Sequence, residues 1–195
     1  RKPEFNYQLD YFKEDLKNIK SNKFDKKNKF LSHFSKQYNL ADFVIIATNF
    51  DKDSIDTVIK DIPEINNIIL KDGKKLILFD QALRIKGFMS NRFNRFDYFV
   101  FKEKRFPTQN EKNLIEKQVF QDSKNVDYIN YHLDIIGKNN SIRYFKRNKI
   151  FCDMVKEICP VLTNYNDKIY WDKTHITKEG AKYFAEIFNN IDFFN

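Results

Sequence analysis

Asp42-Phe43-Val44-Ile45-Ile46-Ala47-Thr48-Asn49 is a short, continuous apolar run rich in β-branched residues that ends in small polar ones. A run of this kind is expected to form a strand buried on both faces. Lys75-Leu76-Ile77-Leu78-Phe79-Asp80 repeats the pattern, introduced by the turn signal Asp72-Gly73. Between them, residues from Asp53 to Ile68 carry apolar side chains at helical spacing, with Pro63 marking a break or restart. Strand, helix and strand make a βαβ unit. Such units build parallel sheets covered by helices, and ligands bind beyond the carboxyl ends of the strands. Asn49 and Asp80 both fall at that edge.

Working outward, Leu9, Phe12, Leu16 and Ile19 on one side of a basic linker and Phe30, Phe34 and Tyr38 on the other predict two surface helices. From Gln81 to Thr108 no clean period emerges, so an irregular excursion is expected, in the place of a lid or substrate-facing loop. Within it, Arg92-Phe93-Asn94-Arg95-Phe96-Asp97-Tyr98 interleaves basic and aromatic residues without a recognised nucleic-acid motif, and packing is the favoured explanation. Two helices follow, Glu111 to Phe120 and Asp122 to Ile136. Val126, Ile129, Leu133 and Ile136 form one face of the second and Gly137 its stop. His132 lies beside that stripe and reads as a packing or surface residue. Ile142-Arg143-Tyr144-Phe145 is a third strand. The organisation expected is one domain over 1–195, with a helical part over 1–40 and a core over 41–195.

The chain has 195 residues, 32% charged and 16% aromatic, a composition that suits one folded domain and excludes a disordered chain. Lys and Arg exceed Asp and Glu by 35 to 27. The surplus is scattered among acids and clusters only at Lys23, Lys26, Lys27 and Lys29, which favours a solvated helix face over a nucleic-acid partner. No apolar run is long enough to span a bilayer. Cys152 and Cys159 stand seven residues apart with no second pair, which argues against a zinc site. Their spacing is compatible with two buried thiols and with a local disulfide.

The chemistry-bearing segment is Ile169-Tyr170-Trp171-Asp172-Lys173-Thr174-His175-Ile176-Thr177-Lys178-Glu179-Gly180-Ala181. Thr177 is a good N-cap, and Ala181, Phe184, Ala185 and Phe188 recur on one helical face. His175 then sits in the loop that opens a helix. There a carboxylate three residues earlier is able to fix its tautomer and stabilise its protonated form. Taken alone, an Asp-x-x-His is more often a surface or capping arrangement than a catalytic one.

The order of elements changes that weighting. A buried strand ending in Ala47-Thr48-Asn49, a second ending in Asp80, the Cys152…Cys159 segment and the Asp172-x-x-His175-Ile-Thr-x-x-Gly-Ala block together resemble the SGNH (GDSL-like) hydrolase superfamily. The likeness is nearest to the extracytoplasmic SGNH domains that accompany acyltransferase-3 membrane proteins and O-acylate cell-surface polysaccharides. It covers residues from about 41 to 190, and 172–181 fit the family block throughout.

The resemblance implies a three-layer αβα, flavodoxin-like fold with a mostly parallel sheet. It casts His175 as the general base and Asp172 as its orienting acid, with Asn49 as an oxyanion donor, although Ala47-Thr48-Asn49-Phe50 lacks the Gly and Asp of the family's Gly-x-Asn-Asp. It implies no metal or other cofactor. An acyl donor and a saccharide hydroxyl or water would be the partners, and a membrane acyltransferase domain would share the parent protein. The setting is expected to be periplasmic or extracytoplasmic, which favours the Cys152–Cys159 disulfide. Family members begin with a strand running into Gly-Asp-Ser, whose serine is the nucleophile, and this chain contains no Gly-Asp-Ser. Ser32 lies in a Lys-rich helical pattern and Ser123 comes too late in the order, so the nucleophile is unknown. The expectation is a domain lacking its first strand; the alternative is a catalytically inactive SGNH-like binding or scaffold domain.

Overall fold

The structure, a computed structural model, describes residues 12–18, 29–47, 50, 53, 55–90 and 93–189. Asn49, Arg92 and the basic residues Lys23, Lys26 and Lys27 lie outside the described residues. In chain order the elements are α1 (residues 12–18), α2 (Lys29–Leu40), β1 (Phe43–Ile46), α3 (Ile55–Lys71), β2 (Lys75–Phe79), α4 (Arg95–Glu103), α5 (Gln109–Ser123), a 3-10 turn (Lys124–Val126), α6 (Asp127–Asn139), β3 (Arg143–Phe145), α7 (Asn148–Phe151) and α8 (Lys178–Asn189). The chain divides into two compact units, 1–81 with 128–145 and 82–127 with 146–195.

The first unit holds the sheet. Its three strands run parallel in the order β1-β2-β3, with Phe43 opposite Lys75 and Ile77 opposite Arg143. Leu76, Ile77 and Leu78 on the central strand are all buried, as a strand covered on both faces requires. The α/β architecture with a parallel sheet flanked by helices is the one the sequence predicts.

Pro63 does not break its helix: α3 runs unbroken from Ile55 to Lys71. Proline there removes a hydrogen bond and crowds the preceding turn, at a cost of about 3 kcal/mol. The stripe Ile55, Val58, Ile62, Ile65 and Ile69 is buried on both sides of it. At about 1.5–3 kcal/mol per buried side chain, that stripe outweighs the proline. The first two helices are not merely surface helices, since α1 buries Leu16 and α2 buries Tyr38 in the same core. Lys13 on α1 also meets the buried Asp61 of α3 at 2.8 Å.

Gly137 is not a helix stop either; it lies inside α6. A Cβ at that position would come within 2.9 Å of the Tyr144 Cβ, so the glycine lets α6 lie close against β3. Ile129, Leu133 and Ile136 form the buried face expected of that helix.

The second unit has no named strand among its described residues and packs around Leu83, Ile85, Phe96, Val119, Ile169 and Phe184. The expected irregular excursion contains a helix, α4. Asn94 caps it, its Oδ1 accepting the Asp97 N–H at 3.0 Å, and Lys104 closes it in the left-handed conformation. Inside the interleaved stretch, Arg95 makes a two-pronged ion pair with Asp122 (2.6 and 2.7 Å), Phe96 is buried, and Tyr98 stacks on Phe88. These residues serve packing. A capping box between Thr108 and Glu111 starts α5, whose last residue, Ser123, donates its hydroxyl to the Phe120 carbonyl. Among the described residues no helix is long and apolar enough to cross a membrane.

Candidate functional site

Asp172 and His175 belong to the second unit, in the loop between Lys168 and α8. Successive backbone bonds form the loop. Trp171 N–H donates to the His175 carbonyl at 2.8 Å, Tyr170 and Ile176 form an antiparallel bridge, and Thr177 N–H donates to the Ile169 carbonyl at 2.8 Å. Thr177 then caps α8, its Oγ1 accepting the Gly180 N–H at 2.9 Å. Gly180 is needed for the return of the chain, because a Cβ there would lie 2.3 Å from the Ile169 carbonyl oxygen.

That close approach also sets which face of α8 is buried. Gly180 and Phe184 are buried and Tyr183, Ile187 and Phe188 pack beside them, whereas Ala181 and Ala185 are exposed. The predicted stripe is therefore correct at Phe184 and Phe188 and wrong at the two alanines.

Asp172 organises the loop. Its Oδ1 accepts the backbone N–H groups of Thr174 (2.7 Å) and His175 (2.8 Å), an Asx-type turn, and its Oδ2 lies 2.8 Å from His175 Nδ1. Partial burial pushes the Asp172 carboxyl up, but the two backbone N–H groups and the imidazole outweigh it and hold the group at about 2. The carboxylate is thus ionised across the neutral range. Its side chain is 28% exposed and that of His175 76% exposed, so the imidazole is open on its far side. With Nδ1 engaged by the carboxylate, Nε2 is the nitrogen available to exchange a proton.

The supports of this loop are far away in sequence. Asn94 Nδ2 donates to the Tyr170 carbonyl at 3.2 Å, Lys168 pairs with Asp97 at 2.7 Å, and Ile85 N–H donates to the Lys173 carbonyl at 2.9 Å. The buried Glu116 accepts the Val161 N–H, and its backbone carbonyl accepts the Cys159 N–H. Burial pushes its carboxyl up, only partly countered by Lys112. Sequence reasoning missed all of these. Only the caps, Asn94 with Asp97 and Thr108 with Glu111, left a local signal.

Cys152 and Cys159 are joined in a disulfide beneath a turn bridged by Asp153 and Ile158. Asp80 and Gln81 are buried at the carboxyl end of β2 in the first unit. Gln81 exchanges hydrogen bonds with Asn130 and accepts the Phe50 N–H. His132 packs edge-on against the rings of Tyr128 and Tyr131. Among the described residues no serine hydroxyl bonds to His175; the hydroxyl nearest its ring is that of Thr174, 3.3 Å from Nδ1. No group of three His, Cys, Asp or Glu among the described residues is placed to hold a metal ion.

A family profile described as "SGNH domain (fused to AT3 domains)" matches residues 8–190, running through both compact units. No curated protein sequence matches the chain significantly. Among solved structures, the fold is similar to the periplasmic domain of the Salmonella ser. Paratyphi A lipopolysaccharide acetyltransferase, with a TM-score of 0.56 and 12% identity over 83% of this chain. The match spans 61% of that chain's length.

Proposed function

The chain belongs to the SGNH domain family, of the kind fused to AT3 domains, and from that premise we propose that it forms the acid-base part of a site for acyl transfer to cell-surface polysaccharide. The observation that carries the reading is the 2.8 Å contact between His175 Nδ1 and Asp172 Oδ2, with the carboxylate fixed by two backbone N–H groups. In the proposed reaction, His175 Nε2 removes the proton of a serine hydroxyl as its oxygen attacks the acyl carbon. Asp172 holds the imidazole in one tautomer and stabilises the imidazolium that forms. The same imidazole returns the proton to the leaving group. It then deprotonates a saccharide hydroxyl or a water as that oxygen attacks the acyl-serine carbon. The acyl–serine bond breaks and the imidazolium returns the proton to the serine oxygen, completing O-acetylation or hydrolysis. Asn49 is assigned the oxyanion donor role by family position alone.

The chemistry calls for no metal or organic cofactor. Tethering through a fused AT3 domain is the part of the reading that the family description supports, and an extracytoplasmic setting is proposed with it. A second reading, a binding or scaffold domain without catalysis, is favoured by one observation, the lack of a described serine at His175.

Hydrolysis of p-nitrophenyl acetate by the full-length protein separates the two. His175→Ala is expected to lower kcat/KM by about 10²–10⁴-fold; equal rates for variant and parent refute the catalytic reading.

A further inference from the structure

Next to the dyad lies an aromatic groove to which the proposed chemistry assigns no role. It encloses about 550 Å³ and is lined by Phe93, Phe101, Phe106 and Trp171 around the Asp97–Lys168 pair. The rings are unusually open for their size: Trp171 is 70% and Phe106 68% exposed. They are also held in place. Phe93 stacks on Phe101 at 5.2 Å, and Lys168 Nζ reaches both Asp97 (2.7 Å) and the Trp171 carbonyl (3.2 Å). Trp171 directly precedes Asp172 and donates its N–H to the His175 carbonyl at 2.8 Å, so groove and dyad share one ordered loop.

We propose that this groove is a saccharide subsite that seats a pyranose unit of the acceptor polysaccharide on Trp171, Phe101 and Phe106, with Asp97 and Lys168 bonding its hydroxyl groups. The proposal rests on the acyl-transfer reading for the word acceptor, but the groove's chemistry argues for a sugar by itself. A pyranose has an apolar C–H face, which suits the electron-rich face of an aromatic ring, and a rim of hydroxyls. A purely apolar occupant such as an acyl chain would exclude water from the exposed part of the Asp97–Lys168 pair and leave only the pair's own bond to offset that loss. Hydroxyl groups replace that water. Few polar groups set among aromatic walls are the usual makeup of a site that both holds and orients a small ligand. Trp171, a wall of the groove, directly precedes Asp172, which ties a sugar held there to the loop that carries the base.

Trp171 is the sole tryptophan of the chain and reports on the groove directly. The test is an array of immobilised bacterial polysaccharides and oligosaccharides probed with the 195-residue protein, followed by a fluorescence titration with the glycan of strongest signal. Binding is expected to shift the Trp171 emission to shorter wavelength. Trp171→Ala is expected to abolish the array signal and Phe106→Ala to weaken binding about tenfold. Tyr165→Ala, an exposed ring outside the groove, is expected to bind as the parent does. Far-UV circular dichroism of each variant verifies folding, which truncation of such exposed side chains leaves intact.

Absence of glycan binding overturns the proposal. So does glycan binding that survives both Trp171→Ala and Phe106→Ala, or a groove that takes up only the apolar dye ANS. Groove-dependent glycan binding without acetyl transfer by the full-length protein keeps the subsite and removes the acyl-transfer reading. Acetyl transfer without groove-dependent binding does the reverse.

Discussion

Both compact units are held by distributed burial, and the second is held in addition by bonds to single atoms. In the first, a parallel sheet and the α3 stripe from Ile55 to Ile69 share the load across many apolar side chains. In the second, the chain is ordered by a disulfide, helix caps, isolated bridges and the close fit of Gly180 against Ile169. Both units have an apolar core, and the second in addition places Asp172 and His175 in a loop whose shape depends on individual donors and acceptors. A sheet core tolerates the loss of one hydrogen bond and suffers from a cavity. The dyad loop is exposed to the opposite kind of damage.

Substitutions sharpen the contrast in order of size. Leu78→Ala removes a fully buried side chain from the central strand and is expected to cost about 2–5 kcal/mol by urea denaturation. The His175 ring signals in NMR should remain those of the parent. A cost under 1 kcal/mol would mean that the first unit is not held by distributed burial. Replacing both Cys152 and Cys159 by Ala opens a short loop and is expected to cost about 2–3 kcal/mol, read in the same way. Gly180→Ala adds one methyl group where the Ile169 carbonyl already stands, so overpacking of about 1–3 kcal/mol is expected. Here the Thr174 and His175 amide resonances should move, and an unperturbed dyad loop would deny that this single contact positions it.

The smallest effect is with pH. Asp172 has its folded-state pKa lowered to about 2 from its ordinary value of 3.8, so its stabilising contribution is fully present above about 3.8 and fades as pH falls toward 2. The amide signals of Thr174 and His175 should titrate near 2, and a midpoint at the ordinary carboxylate value would show that the turn does not hold the carboxylate.

How legible each region was in the sequence follows the same division. The β2 run and the Ile129, Leu133 and Ile136 face were readable because burial marks them, as a continuous apolar run and as a helical period. Strands β1 and β3 were found as β-rich runs, but β1 exposes Ile45 and β3 is half-buried, so the expected burial of β1 on both faces does not hold. Pro63 misled because local propensity was set against a stripe whose depth of burial only the tertiary structure reveals. Helix α4 was hidden because its aromatic residues, Phe96, Tyr98, Phe99 and Phe101, blur any single period, and its caps carry the information instead.

The spacing of Asp172 and His175 marked the dyad, and the Thr177 cap marked its helix. The restraints that hold the loop were not legible. Asn94 lies 76 residues from Tyr170 and Asp97 71 from Lys168, and no local pattern links such pairs. A Cys-to-Cys spacing of seven fits a bond and two thiols equally, so the disulfide needed the fold.

The central claim is that His175, oriented by Asp172, is the base of an acyl-transfer site, and one measurement addresses it most directly. Acetyl groups on the surface polysaccharide are quantified by NMR from cells producing the full-length protein, as the parent sequence or as His175→Ala at matched expression. The account predicts that the variant's acetylation falls by about 10²-fold or more, to the background of cells without the protein. Acetylation undiminished in His175→Ala would contradict it.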